Sequence, residues 1–335
     1  MWVLENETRY SAERNWTRDK HGVHMWLVAV RATFDIEPDG RLKTIEEQPK
    51  PDLEPQYRGE AGKASLRVDS DLLNGKPATD VILDAYAHAP RGRKVPMIPV
   101  SLRLGGIEKT LLVHGPRVYH HGKLASVTTA PIPFTTQPIQ YEWAFGGFDA
   151  MSSDPSKHRL DSRNPIGRGF AVNAKHLANQ PAHTIEYPTG NPANVGPAGF
   201  GPIDRSWSPR LQLAGTYAGQ WHKTKRPLLP DDYDDRFALS APVDQRPPNP
   251  LRGGETVTIT NMTPQGTLCF DLPKLYFAFT TRFGRGEEEH RGHLATVFIE
   301  TEKMRLSMIW QTTLPVPARK VEQLDETIIT EKRYL

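Results

Sequence analysis

The sequence predicts a mainly β fold: an antiparallel, β-sandwich-like core drawn from the N-terminal and C-terminal thirds, with a long ordered loop region rich in proline and aromatics between them. Three observations predict it. Proline occupies 30 of 335 positions, about 9% against a usual level of about 5%, and 26 glycines accompany it. About one residue in six therefore resists a helix interior, which argues against a helical bundle or a repeat solenoid. Alternating apolar and polar residues crowd both ends of the chain, a period of two that belongs to strands. The middle lacks that period but is dense in large rings.

Along residues 26–36, Trp26, Val28, Val30, Ala32, Phe34 and Ile36 fall on one face, and Arg31, Thr33 and Asp35 on the other. A half-buried strand is expected there, closed by a Pro38-Asp39-Gly40 turn. Residues 80–87 read as a second strand. Residues 98–104 and 107–113 flank Gly105-Gly106, a dipeptide that accepts the positive φ of a tight hairpin. Residues 131–250 hold seventeen of the 30 prolines and about a dozen aromatics, among them Trp143, Phe145, Phe148, Phe170, Phe200, Trp207, Tyr217 and Trp221. Disordered linkers are poor in aromatics, so this region reads as loops stiffened by proline and pinned by rings. Two more hairpins follow, residues 255–262 with 267–272 and residues 293–300 with 304–311. Residues 282–292 between them read as a polar, flexible link. The expected organisation is one domain over residues 1–317, strand-rich at 23–130, loop-rich at 131–250 and strand-rich again at 251–313. A charged tail is expected at 318–335.

Composition excludes several classes. The net charge is +3, and Lys and Arg are interleaved with Asp and Glu without long runs, so no nucleic-acid patch is indicated. The start of the chain lacks the basic and apolar regions of a secretory leader, and the longest apolar run is far shorter than a membrane span. A cytoplasmic location is expected. One cysteine, Cys269, rules out an internal disulfide or a CxxC site, and its apolar strand Leu268-Cys269-Phe270 predicts a buried, inert thiol.

Catalytic motifs are sparse. The chain has no phosphate-binding loop, no dinucleotide fingerprint, no HExxH and no GxSxG. His120-His121 would face opposite sides of a strand, and His290 with His293 lacks a matching carboxylate motif, so no metal is expected. Asp231-Asp232-Tyr233-Asp234-Asp235 lacks calcium-loop spacing and reads as turn caps and partners for nearby arginines. Three ring-and-glycine stretches remain: Tyr141-Glu142-Trp143-Ala144-Phe145-Gly146-Gly147, Asn164-Pro165-Ile166-Gly167-Arg168-Gly169-Phe170, and Pro197-Ala198-Gly199-Phe200-Gly201-Pro202. Their glycines permit tight turns and their rings can fill a core. Trp, Tyr and Arg are also the residues that dominate protein interfaces.

These stretches resemble the bacterial family catalogued as domain of unknown function 2169 (DUF2169), whose members are encoded beside type VI secretion effectors. The resemblance runs from about residue 23 to residue 311. It takes in Val28-Ala29-Val30-Arg31-Ala32-Thr33-Phe34, Lys76-Pro77-Ala78-Thr79-Asp80-Val81, Glu108-Lys109, and Val113-His114-Gly115-Pro116-Arg117-Val118-Tyr119. It continues through the three ring-and-glycine stretches, Trp207-Ser208-Pro209-Arg210, Ala214-Gly215-Thr216-Tyr217 to Trp221, Leu229-Pro230-Asp231-Asp232-Tyr233-Asp234 and Gly253-Gly254-Glu255. The chain departs from the family pattern at Tyr119, where Trp is usual, and at Ala218, where Asp is usual.

The resemblance implies a non-enzymatic adaptor or chaperone that holds a type VI effector and helps load it onto the VgrG and PAAR spike proteins. It implies no cofactor and no catalytic residues. The candidate partner-binding residues are Trp143, Arg168, Phe170, Trp207, Arg210, Tyr217 and Trp221. Two alternatives stand beside this reading. One is an enzyme acting on carbohydrate or peptidoglycan, with Asp231, Asp232, Asp234 or Glu142 as acid and base. The other is a glycan-binding module of the secretion apparatus.

Overall fold

The computed structural model describes residues 2–73, 75–121 and 126–332. Among these residues, three open sheets carry the fold. The largest runs in the order Thr136–Ile139, Asp80–His88, His293–Glu300, Arg305–Val316, His24–Ile36 and Ser11–Arg18, and Leu42–Thr44 pairs the far end of His24–Ile36. Its neighbours are antiparallel except Asp80–His88 and His293–Glu300, which run parallel. A fully antiparallel sheet follows the order Ile185–Glu186, Ile107–His114, Met97–Leu104, Thr256–Thr260 and Thr267–Asp271. The third takes Val3–Asn6, Leu324–Glu331, Phe277–Phe283 and Gly286–Arg291 in that order. The protein is mainly β.

Sequence alternation explains the packing. In the hairpin of the antiparallel sheet, Ile98, Val100, Leu102, Leu104, Ile107, Leu111 and Val113 all point inward. Gly105 and Gly106 close it at φ +55° and +88°, a pair of values that only glycine adopts without strain. Val28 and Val30 from the largest sheet, Val100 and Leu102 from the second, and Phe279 and Ile329 from the third meet in one continuous core. Each fully buried side chain of this kind contributes about 1.5–3 kcal/mol.

Four expectations are corrected. The first concerns His24–Ile36, which is covered on both faces rather than one. Arg31 is 8% exposed and Thr33 is fully buried. Residues 45–73 cross this second face and meet several of its polar groups. Gln48 bonds the backbone of Thr33, Arg31 pairs with Asp52 at 2.7 Å, and Thr33 meets Ser307 at 3.0 Å. The polar half of the alternation faces a hydrogen-bonded interior, not water. Second, the expected tail is integral to the third sheet: Leu324–Glu331 lies between Val3–Asn6 and Phe277–Phe283. Leu324, Ile329 and Thr327 are buried there, and Thr327 accepts a hydrogen bond from Trp26 Nε1.

Third, the expected polar link contains the strand Gly286–Arg291, because residues 277–283 offer it a full antiparallel partner. Fourth, Cys269 is exposed. The same period of two that buries Leu268 and Phe270 turns the residue between them outward.

Residues 131–250 are turns, short 3-10 segments, two short α-helices (Pro192–Val195 and Gly219–Thr224) and two-residue ladders, in line with their proline and ring content. They also lend an edge strand to each of the two larger sheets, Thr136–Ile139 and Ile185–Glu186.

Candidate functional site

Two surface grooves open in the loop region, and the ring-and-glycine stretches build the first. Asn164 is fully buried, and its side-chain amide donates to the carbonyls of Tyr141 and Phe145 at 2.8 and 3.0 Å. That amide fastens the stretch after Tyr141 to the stretch after Asn164, so that Phe145–Gly146 and Arg168–Gly169 form a short parallel ladder. Side chains are excluded at this junction. A Cβ on Gly167 would lie 2.7 Å from the Ala144 carbonyl, and one on Gly169 would lie 2.2 Å from Tyr119 Oη. Tyr119 Oη bonds His183 Nδ1 at 2.7 Å, and His183, His114 and Arg117 converge on Glu186. This network backs the groove.

The first groove measures about 430 Å³ and runs between Gly147, Phe148, Met151, Arg168, Phe170 and His176. Asp149 organises its rim: its carboxylate accepts from the amides of Met151 and Val172 and from His176 Nδ1. The side chains so arranged are unusually bare. Phe148, Met151 and Val172 are 57%, 66% and 63% exposed, and Leu160, opposite Phe148 in a two-residue ladder, is 49% exposed. Of these, Phe148 and Met151 line the groove itself, and apolar side chains exposed at a groove mark an interaction surface more often than scattered ones do.

The second groove, about 610 Å³, lies between Pro197, Ile203, Leu213, Pro242 and Val243, with Arg163, Arg236 and Arg246 among its walls. Val243 is 70% exposed at its edge. Residues 160–164 separate the two grooves. Asp161 N donates to Gly147 O on one side, and Ser208 N donates to Ser162 O on the other. Beneath the second groove sits Lys109, whose ammonium donates to Gly199 O, Asp244 Oδ1 and Gln245 Oε1 at 2.6, 2.8 and 2.6 Å. Burial pushes its pKa down to about 8 against the upward pull of Asp244. Gln245 in turn bonds Val81 O in the largest sheet, so Lys109 ties loop to sheet.

The candidate residues separate into three groups. Arg168 and Phe170 line the first groove, and Trp143 lies under Arg168 with its ring centroid 4.2 Å from the guanidinium carbon. Tyr217 and Trp221 form an edge-to-face pair at 4.8 Å on a separate part of the surface, Tyr217 about half exposed. Trp207 and Arg210 are corrected to structural roles, being 4% and 2% exposed. Trp207 packs edge-on against Tyr141. Arg210 pairs with Asp69 and donates to the carbonyls of Phe237 and Ile203. Each of the three guanidinium nitrogens of Arg210 is thus engaged inside the fold, and the side chain is 2% exposed.

The carboxylates weighed as acid and base are each engaged. Glu142 accepts from Ser65 N and Oγ, Asp232 from Thr216 N and Oγ1, and Asp234 from the Arg236 backbone and guanidinium, while Asp231 pairs with Lys225. Among the described residues, no group of three His, Cys, Asp or Glu is placed to hold a metal, and no helix is long and apolar enough to cross a membrane. Sequence reasoning did not single out Met151, Leu160 and Val172. Their signal was faint: apolar residues in a polar stretch, with no periodic partners.

Open, mainly antiparallel sheets accompanied by a long loop region with two apolar-edged grooves define a loop-faced β scaffold. The chain belongs to DUF2169, described as an uncharacterized protein conserved in bacteria, with residues 21–311 matched. No curated protein and no solved structure matches it.

Proposed function

We propose that the protein is a non-enzymatic adaptor that holds a polypeptide client on its loop face. The client implied by the family resemblance is a type VI secretion effector, held for loading onto the VgrG and PAAR spike proteins. One observation carries the reading: large apolar side chains stand exposed at a groove whose backbone is fixed by hydrogen bonds that Asn164 donates and Asp149 accepts. Loops already fixed lose little entropy on binding, so more of the contact energy appears as affinity. A client whose folded state binds is stabilised by mass action. The engagement of Glu142, Asp231, Asp232 and Asp234 with amides, hydroxyls and cations leaves the carbohydrate-enzyme reading without a free acid–base pair among those residues.

The test is co-expression with the effector encoded beside this gene, followed by affinity capture on this chain. Retention of the effector and a gain in its soluble fraction are expected. Equal effector solubility with and without this protein, and no retention, would remove the reading.

A further inference from the structure

Arg168 is a cation without an anion. Its guanidinium lies over the Trp143 ring, and among the described residues no side-chain hydrogen bond or ion pair engages it. The acids that could have served it are taken. Glu142 is held by Ser65, and Asp149, the carboxylate in the same groove, is held by two backbone amides and His176. Asp149 is thus occupied within the groove, and Arg168 makes no ion pair with it. Burial already disfavours the charged form of Arg168, with Glu142 opposing from a distance. Gly146, Gly147, Gly167 and Gly169 line the groove, so part of its wall is bare backbone that a second chain can approach closely.

We propose that this groove receives an extended segment of the client carrying a single Asp or Glu between apolar residues. The carboxylate meets Arg168, and the flanking apolar side chains lie on Phe148 and Met151. The proposal rests on the adaptor reading above and gives it a recognition chemistry. Charge complementarity selects this occupant. One guanidinium, planar and braced by a ring, matches one carboxylate. A phosphorylated segment brings roughly two charges and calls for a second free cation, which the groove lacks. An anionic membrane calls for a basic cluster. The exposed apolar rim supplies the remainder of the contact, and the stacked, partly desolvated Arg168 is the kind of residue on which interface energy concentrates.

The experiment selects binders from a display library of random linear peptides against the full chain. Affinities of the synthetic winners are then measured by fluorescence anisotropy. Selected sequences are expected to share an Asp or Glu flanked by apolar residues. Replacing that acid by its amide should weaken binding on the order of tenfold or more, and Arg168→Gln in the protein should do the same. The two changes together should cost little more than either alone, and Arg168→Lys should recover part of the loss. Phe148→Ser with Met151→Ser, both at exposed positions, should weaken binding without lowering the melting temperature. Acid-free winners, no winners, or additive losses would overturn the proposal. The co-expressed effector separates the two claims. Equal retention by wild type and Arg168→Gln overturns the groove chemistry and leaves the adaptor reading standing, whereas an effector that wild type does not retain overturns both.

Discussion

Replacing Lys109 by Met should flatten the alkaline stability profile of the protein. Lys109 is 3% exposed, and burial lowers its pKa from 10.5 to about 8. Between those values the unfolded chain still carries a proton that the folded chain has released. Stability therefore rises with pH through this window, by up to about 1.4 kcal/mol per pH unit and by about 3 kcal/mol if the whole shift is traversed. Tyr119 and Tyr233, raised to about 12 by burial, lose stability in the opposite direction once pH passes their unfolded value of 10. The informative range thus ends near pH 10. At neutral pH the substitution leaves the Gly199 and Gln245 acceptors without their donor, a cost of about 1–3 kcal/mol each, partly offset by removing a desolvated charge. The substitution therefore costs on the order of a few kcal/mol at pH 7, and the slope decides. Urea unfolding midpoints followed by tryptophan fluorescence from pH 7 upward should climb for wild type and stay level for Lys109→Met. Parallel profiles would refute the account of Lys109 as a buried cation.

Three further outcomes follow from the same geometry. Asp71 is fully buried, and burial, opposed by Arg31, raises its pKa to about 6. The folded chain keeps this proton after the unfolded chain has lost it, so the group costs stability as pH rises through 6. Asp71→Asn should be more stable at pH 7 by up to about 3 kcal/mol and close to wild type near pH 4, read from denaturant midpoints at both values; no gain at pH 7 would contradict the assignment. Gly169→Ala combines a φ of +100° with a Cβ 2.2 Å from Tyr119 Oη and should cost about 2 kcal/mol or more; adding Tyr119→Phe should recover part of it, and a strictly additive double mutant would argue against that contact. Ending the chain after Gln323 strips the partner from Phe277–Phe283 and from Trp26 Nε1 and should yield insoluble or molten protein; a soluble product with native near-ultraviolet dichroism would show the last strand to be dispensable.

Much of the β framework was legible because it obeys a local rule. The hairpin at Gly105-Gly106 alternates in sequence as it alternates in space, and the strands at residues 80–88 and 293–300 stand out as short apolar runs buried on both faces. What stayed hidden depends on distant residues. Arg31 and Thr33 look like solvent-facing positions until residues 45–73 supply Asp52 and Gln48 to satisfy them. The strand at residues 324–331 looks like a charged tail because its acids flank few apolar residues, and only the Phe277–Phe283 ladder gives it a place. Ring type alone could not separate Trp207, packed on Tyr141, from Tyr217, turned outward. Arg168 was legible as a candidate; that it makes no ion pair among the described residues while Arg210 has Asp69 was not.

The two longest strands, His24–Ile36 and Arg305–Val316, lie side by side at the centre of the largest sheet, though nearly the whole chain separates them. During synthesis the earlier one leaves the ribosome with its apolar residues ready and its mate still untranslated. Such delayed pairing slows folding and prolongs the interval in which sticky surface is bare. Slowing translation late in the message should lower the yield of native protein more than the same delay near the start.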